Sequence, residues 1–260
     1  MFMSHSIFIF SFFIFGLCIG SFLNVCIYRL PIGKSIAFPP SHCPECRKAI
    51  RIYDNIPVLG WLLLKGRCRD CGSPISPRYP VVEFITGLFA VFTYLKFGLT
   101  VNTGVYFIFI AVLIVVTFID IDHRIIPDKI TLPGIPLAFI ATFFLPNITW
   151  QNSLFGILAG GGSLLLVAVG YSYFTGKEGM GGGDIKLLAM IGALCGWQGV
   201  IFTIFTGSVV GSVAGIAAMR RSGEGMKSAL PFGPFLSAGA IGYIFRGPEI
   251  IHWYLSTMGR

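Results

Sequence analysis

Eight apolar runs recur along this chain, at residues 7–27, 81–95, 105–119, 130–145, 153–174, 185–195, 200–219 and 229–245. A water-soluble fold cannot hide them, because only 12% of the 260 residues are charged while 55% are hydrophobic. The pattern predicts an all-α polytopic membrane protein of about eight transmembrane helices. Several runs are shorter than the about 20 residues a perpendicular span requires, and 185–195, with its glycine-rich flanks, is the shortest. The first run has neither Lys nor Arg ahead of it nor a small-residue cleavage site, so it is expected to stay as a helix rather than leave as a secretory signal. Glycines inside the runs, Gly160-Gly161-Gly162 and Gly207, Gly211 and Gly215, are expected to let helices pack closely.

The formal net charge of +8 suits either a nucleic-acid partner or a topology signal, and the placement of the cations decides. Alternating the runs from a non-cytoplasmic N-terminus puts 29–80, 121–129, 176–186 and 220–227 on one side, where 16 of the 19 Lys and Arg lie. Only Lys96, Arg246 and Arg260 fall opposite, so that side is read as cytoplasmic and no nucleic-acid partner is expected. The one sizeable polar region, 29–80, carries Cys43-Pro44-Glu45-Cys46 and, 22 residues on, Cys68-Arg69-Asp70-Cys71. Paired C-x-x-C knuckles supply four thiolates at the reach of a tetrahedral zinc ion. Two disulfides are the alternative, which a reducing cytoplasm disfavours. Four Cys ligands leave no open coordination position, so the zinc would be structural, and it would supply much of the folding energy of a segment with little core. Cys18, Cys26 and Cys195 lie in apolar runs and read as small buried residues.

Acids in such a chain are costly unless partnered or used. Gly179-Met180-Gly181-Gly182-Gly183-Asp184-Ile185-Lys186 places a carboxylate at the mouth of an apolar run, where helix capping is the simplest role. A second acidic patch, Asp120-Ile121-Asp122-His123-Arg124-Ile125-Ile126-Pro127-Asp128, sits at the same cytoplasmic depth. Residues two apart on a helix point about 200° from each other, so Asp120 and Asp122 cannot share a partner. Asp122 lies at the rim beside His123 and Arg124, and Asp128 after Pro127 is placed to cap the next helix. Asp120 is left to face Asp184. Two carboxyls held together cannot both ionise, which gives one acid and one base to activate water, the chemistry of an aspartic peptidase. A metal held by both would want more ligands than His123. An ion relay in a non-enzymatic zinc-domain scaffold or transporter subunit would want acids across the membrane, whereas the outer half has only Glu249.

These stretches, with Gly20-Ser21-Phe22-Leu23-Asn24-Val25-Cys26, Asp54-Asn55-Ile56-Pro57-Val58 and Ile75-Ser76-Pro77-Arg78-Tyr79-Pro80-Val81-Val82-Glu83, resemble the bacterial type IV prepilin peptidases in family order. The resemblance implies catalytic aspartates at Asp120 and Asp184. It also implies cleavage of type IV prepilins and type II secretion pseudopilins after the Gly of a basic leader, on the cytoplasmic side of the bacterial inner membrane. N-methylation of the new terminus with S-adenosylmethionine follows in the family. No nucleotide loop reveals the donor site. Candidates are Gly66, Arg67, Arg78 and Glu83, whose duller readings are a turn, topology charges and a Glu83–Arg78 pair. The implied organisation is a first transmembrane helix at 1–28, a cytoplasmic tetracysteine zinc domain and methyltransferase region at 29–80, and a peptidase bundle at 81–260.

Overall fold

The structure is a computed structural model that describes residues 2–176, 181–222 and 231–258. Gly179 and Met180 at the head of the glycine run, Lys177, the part of the basic 220–227 segment beyond Ser222, Ala229 and Arg260 lie outside the described residues. The described chain is helical: α1 (Phe2–Arg29), a 3-10 turn (Ile52–Asn55), α2 (Leu59–Leu63), α3 (Arg78–Phe97), α4 (Val101–His123) and α5 (Asp128–Ala141). A second 3-10 turn (Thr142–Phe144) precedes α6 (Trp150–Thr175), α7 (Gly182–Ser222) and α8 (Gly233–Met258). No strand occurs among the described residues, only two isolated bridges in the cysteine region.

Among the described residues five helices, α1, α3, α4, α6 and α7, are long and apolar enough to cross a membrane. Helix α5 is shorter and holds Pro133 and Pro136, each of which removes a helical N–H donor. The apolar runs 185–195 and 200–219 form two helices that meet at a kink at Gly196 (φ 70°, ψ −179°), and α7 denotes the pair. Local chemistry sets the ends. Thr149 accepts the Asn152 N–H to cap α6, and Gly176 in the left-handed conformation closes it by donating to the Ser172 carbonyl.

Two compact units divide the chain, Met1–Val115 and Val116–Arg260. In the first, α1 packs on α3 through glycine: a Cβ on Gly16 would come 2.7 Å from that of Ala90, and one on Gly20 would come 2.6 Å from the Glu83 Cα. Phe12 stacks on Tyr94 at the far end of this seam, ring centres 4.7 Å apart. In the second, Gly156 of α6 and Gly192 of α7 each press on the other's carbonyl, and Gly160 rests against the Leu188 backbone. The buried Ser153 hydroxyl donates to the Ala193 carbonyl at 2.6 Å across the same contact. Such interhelical bonds contribute about 0.6 kcal/mol each, so close backbone packing carries most of the association. Of the expected packing glycines, a Cβ on Gly207 or Gly211 would meet Phe235 of α8, one on Gly161 would stand 3.4 Å from Ala189, and one on Gly162 would meet no neighbour.

Candidate active site and metal centre

Asp120 lies in the last turn of α4 and is only 4% exposed, whereas Asp122 is exposed, as helix phase requires. The Arg124 N–H closes the helix on the Asp120 carbonyl, and the chain then turns through Arg124 at φ 55° toward α5. The Asp120 side chain reaches the start of α8, where its Oδ2 accepts the Gly233 N–H at 2.9 Å. The first N–H groups of a helix lack internal partners and carry the positive end of its dipole, so a carboxylate there satisfies both needs. Asp184 stands in the first turn of α7, half-buried, and close enough to Asp120 for its neighbour's charge to act on it. Its Oδ1 is buried and has no hydrogen-bond partner among the described residues. Gly183 permits the approach, since a Cβ there would meet Ile126 of the α4–α5 turn at 2.9 Å. Asp128 does open α5, but its carboxylate bonds Lys186 of α7 at 2.7 and 2.8 Å and makes no capping bond. The sequence reading missed Gly233. Its only signal is Pro231-Phe232-Gly233-Pro234, a helix start in which Pro sits in the first turn.

The four cysteines fold as two matching turns. Cys43 N–H donates to the Lys48 carbonyl and Arg47 N–H returns to Cys43, while Cys68 N–H donates to Ser73 and Gly72 N–H returns to Cys68. Arg47 (φ 58°) and Gly72 (φ 72°) hold the same left-handed position in the two turns. The sulfur atoms of Cys43, Cys46, Cys68 and Cys71 lie within 4.8 Å of one another, and none of these thiols is in a disulfide. This is a donor set compatible with a tetrahedral ion. The Cys46 backbone N–H bears on the Cys43 thiol and pushes it down, toward the thiolate form that a metal binds. Ser73, absent from the sequence reading, places its hydroxyl 3.1 Å from the Cys71 sulfur and 3.6 Å from that of Cys43. Arg69 binds the largely buried Asp54 in two-pronged fashion, at 2.6 to 3.2 Å, and this holds Asp54 below the usual carboxylate range.

The other candidates are dispersed. Gly66 is buried in a turn at φ 67°, where a Cβ would strike the Trp61 ring, and Trp61 in turn donates to the Ile75 carbonyl at 3.0 Å. Arg67 is exposed, and Arg78 opens α3 half-buried. Glu83, 8% exposed, accepts the Val58 N–H at 2.7 Å and a hydrogen bond from Ser21 of α1. Beside it Asn24, 3% exposed, donates to the Tyr79 carbonyl at 3.0 Å.

Known proteins share this arrangement of sequence. Residues 14–97 match the bacterial peptidase A24 N-terminal domain, and residues 107–216 match the type IV leader peptidase family. A protein of Stutzerimonas stutzeri is 36% identical over 93% of this chain and 92% of its own length. One of Pseudomonas aeruginosa is 37% identical over 94% and 92%, and one of Aeromonas salmonicida 36% over 95% and 93%. All three are named prepilin leader peptidase/N-methyltransferase. No solved structure matches the chain. With both family regions present in order, and relatives aligned across nearly the whole of both chains, this protein belongs to the type IV leader peptidase family.

Proposed function

We propose that this chain is a prepilin leader peptidase and N-methyltransferase in which Asp120 and Asp184 cleave the leader. The observation that carries the proposal is the pairing of two acids from helices distant in sequence, one held by the Gly233 N–H and the other with a buried oxygen unpartnered. Oδ2 of Asp120 is committed to α8, which leaves Oδ1 for water. The open Oδ1 of Asp184 faces the same need for a partner, which a water or a scissile carbonyl would fill. With one proton between the two carboxyls, the unprotonated one takes a proton from water as it attacks the peptide carbonyl, and the protonated one donates toward the developing oxyanion. The substrates are type IV prepilins and type II secretion pseudopilins, whose apolar helix lies in the inner-membrane lipid.

The cysteine cluster holds a structural zinc ion, which fixes the two turns and supplies folding energy to 29–80. That region works with S-adenosylmethionine, the donor of an electrophilic methyl group, near Gly66, Arg67, Arg78 and Glu83. With the five-residue α2 set aside, division of α7 at Gly196 makes eight apolar helical segments among the described residues, in keeping with eight spans. Their cationic loops favour a cytoplasmic face for the zinc domain and the acids. The chain thus divides into a first span at 1–28, the zinc and methyltransferase region at 29–80, and the peptidase bundle at 81–260. Incubation of detergent-purified protein with a prepilin, with and without labelled S-adenosylmethionine, reads the two activities separately. Leader release in both arms and label only on the cleaved product are expected; no release in either arm would refute the peptidase.

A further inference from the structure

The α1–α3 seam buries polar groups that helix packing does not explain. Ser21 and Asn24 lie one turn apart on α1 and face Glu83 and Tyr79, one turn apart on α3. Glu83 is buried where a carboxylate is costly, and its partners among the described residues, the Val58 N–H and the Ser21 hydroxyl, are both neutral. An ionised carboxylate accepts about four hydrogen bonds, so capacity remains. Asn24 is buried, and its Oδ1 has no partner among the described residues. Its orientation is fixed, because a flipped amide would set its oxygen against the Tyr79 carbonyl that its Nδ2 now serves. Val58 is a β-branched residue at φ 62°, a strained conformation held at the point where it donates to Glu83. The seam therefore presents an acidic acceptor and a neutral one, both short of donors. Two side chains supply at most three oxygens, short of the about six that an all-protein site for a hard metal cation needs.

We propose that Glu83 and Asn24 form a site for a primary ammonium group, used in the methyl-transfer half of the reaction. This rests on the methyltransferase reading above and deepens it. An ammonium brings three N–H donors and the charge that a buried carboxylate lacks. Two sources carry that chemistry, the new N-terminus of a cleaved pilin and the α-ammonium of the methyl donor. For a pilin terminus, one ammonium proton passes to the Glu83 carboxylate. The freed nitrogen lone pair then forms the N–C bond as the C–S bond breaks, its electron pair left on sulfur. The product is a methylammonium and a neutral thioether, and Glu83 later releases its proton to water. Asn24 Oδ1 holds a remaining N–H and so aims the lone pair.

The test uses the whole protein in detergent. Glu83→Gln keeps an oxygen for the Val58 N–H while removing the charge. Methyl transfer to an already cleaved pilin should fall about 10²-fold or more, the scale of general acid–base catalysis, with prepilin cleavage on the same preparation held within about two-fold. A KM rise confined to pilin, with transfer recovering above the usual amine titration near ~8, assigns the site to the pilin terminus. A KM rise confined to the donor assigns it to the donor's α-ammonium, and either sustains the ammonium site. Unchanged transfer overturns it. Where Glu83→Gln loses cleavage as well, Asn24→Asp decides: a second acid should lower KM for one amine-bearing substrate, and no change in either KM overturns the proposal. Wild-type protein that cleaves but never transfers a methyl group would instead remove the methyltransferase reading on which the site rests.

Discussion

Gly233 has the least steric freedom around the paired acids. A Cβ there would stand 2.7 Å from Asp120 Oδ2 and 3.2 Å from the Ile126 side chain, so Gly233→Ala must displace the carboxylate that its own N–H holds. Misplacement on the ångström scale costs roughly 10²-fold in rate, and leader cleavage by Gly233→Ala should fall by about that much with methyl transfer retained. A wild-type cleavage rate would show that the Gly233 bond does not position Asp120. The acids themselves were legible in the sequence, because a carboxylate at the end of an apolar run demands an explanation and helix phase separates Asp120 from Asp122. Their support was not. Gly233 acts through a backbone N–H, which every residue but proline has, and it lies 113 residues from the side chain it serves. Asp128 was misread as a cap for the same reason: nothing local announces that Lys186 of another helix will claim it.

Helix α7 carries a tight backbone constraint at one residue. At φ 70° and ψ −179°, Gly196 sits in a region open almost only to glycine, and it is the kink between the two helical halves of α7. Gly196→Ala is expected to destabilise the bundle by about 1–3 kcal/mol, read as a lower thermal midpoint in detergent. An unshifted midpoint would mean that the break relaxes freely. The apolar runs on either side were plain in the sequence as two helices, but the kink that joins them at Gly196 without a loop was not, since glycine punctuates both loops and packed helices. The same ambiguity hid Gly156 and Gly192. The Gly160-Gly161-Gly162 cluster stands out by its density, yet a Cβ on Gly162 would meet no neighbour, while a Cβ on either of two isolated glycines, Gly156 and Gly192, would strike the other's carbonyl across the α6–α7 contact.

Across the whole molecule, the proposed zinc site and the amine site lie in the Met1–Val115 unit, and Asp120, Asp184 and Gly233 in Val116–Arg260. Structural zinc supplies about 10–16 kcal/mol of folding free energy in small zinc modules, so removing it should unfold the cysteine region while a helix bundle persists on its own packing. Chelation, or Cys43→Ser with Cys46→Ser, should abolish methyl transfer first and leave measurable cleavage. Methylation that survives with no metal found by elemental analysis would refute this. The cysteine spacing made the four-thiol cluster readable from sequence, whereas Glu83 bonding to Val58 required the chain path between the knuckles and α3. The most direct test of two separable activities is a pair of initial rates, prepilin cleavage and methylation of pre-cleaved pilin, on one preparation each of Asp120→Asn and Asp184→Asn. Both variants should lose cleavage by at least about 10²-fold and methylate like the wild type, with exposed Asp122→Asn close to wild type in both. Near-normal cleavage by either dyad variant, or a loss as deep in Asp122→Asn, would contradict the assignment.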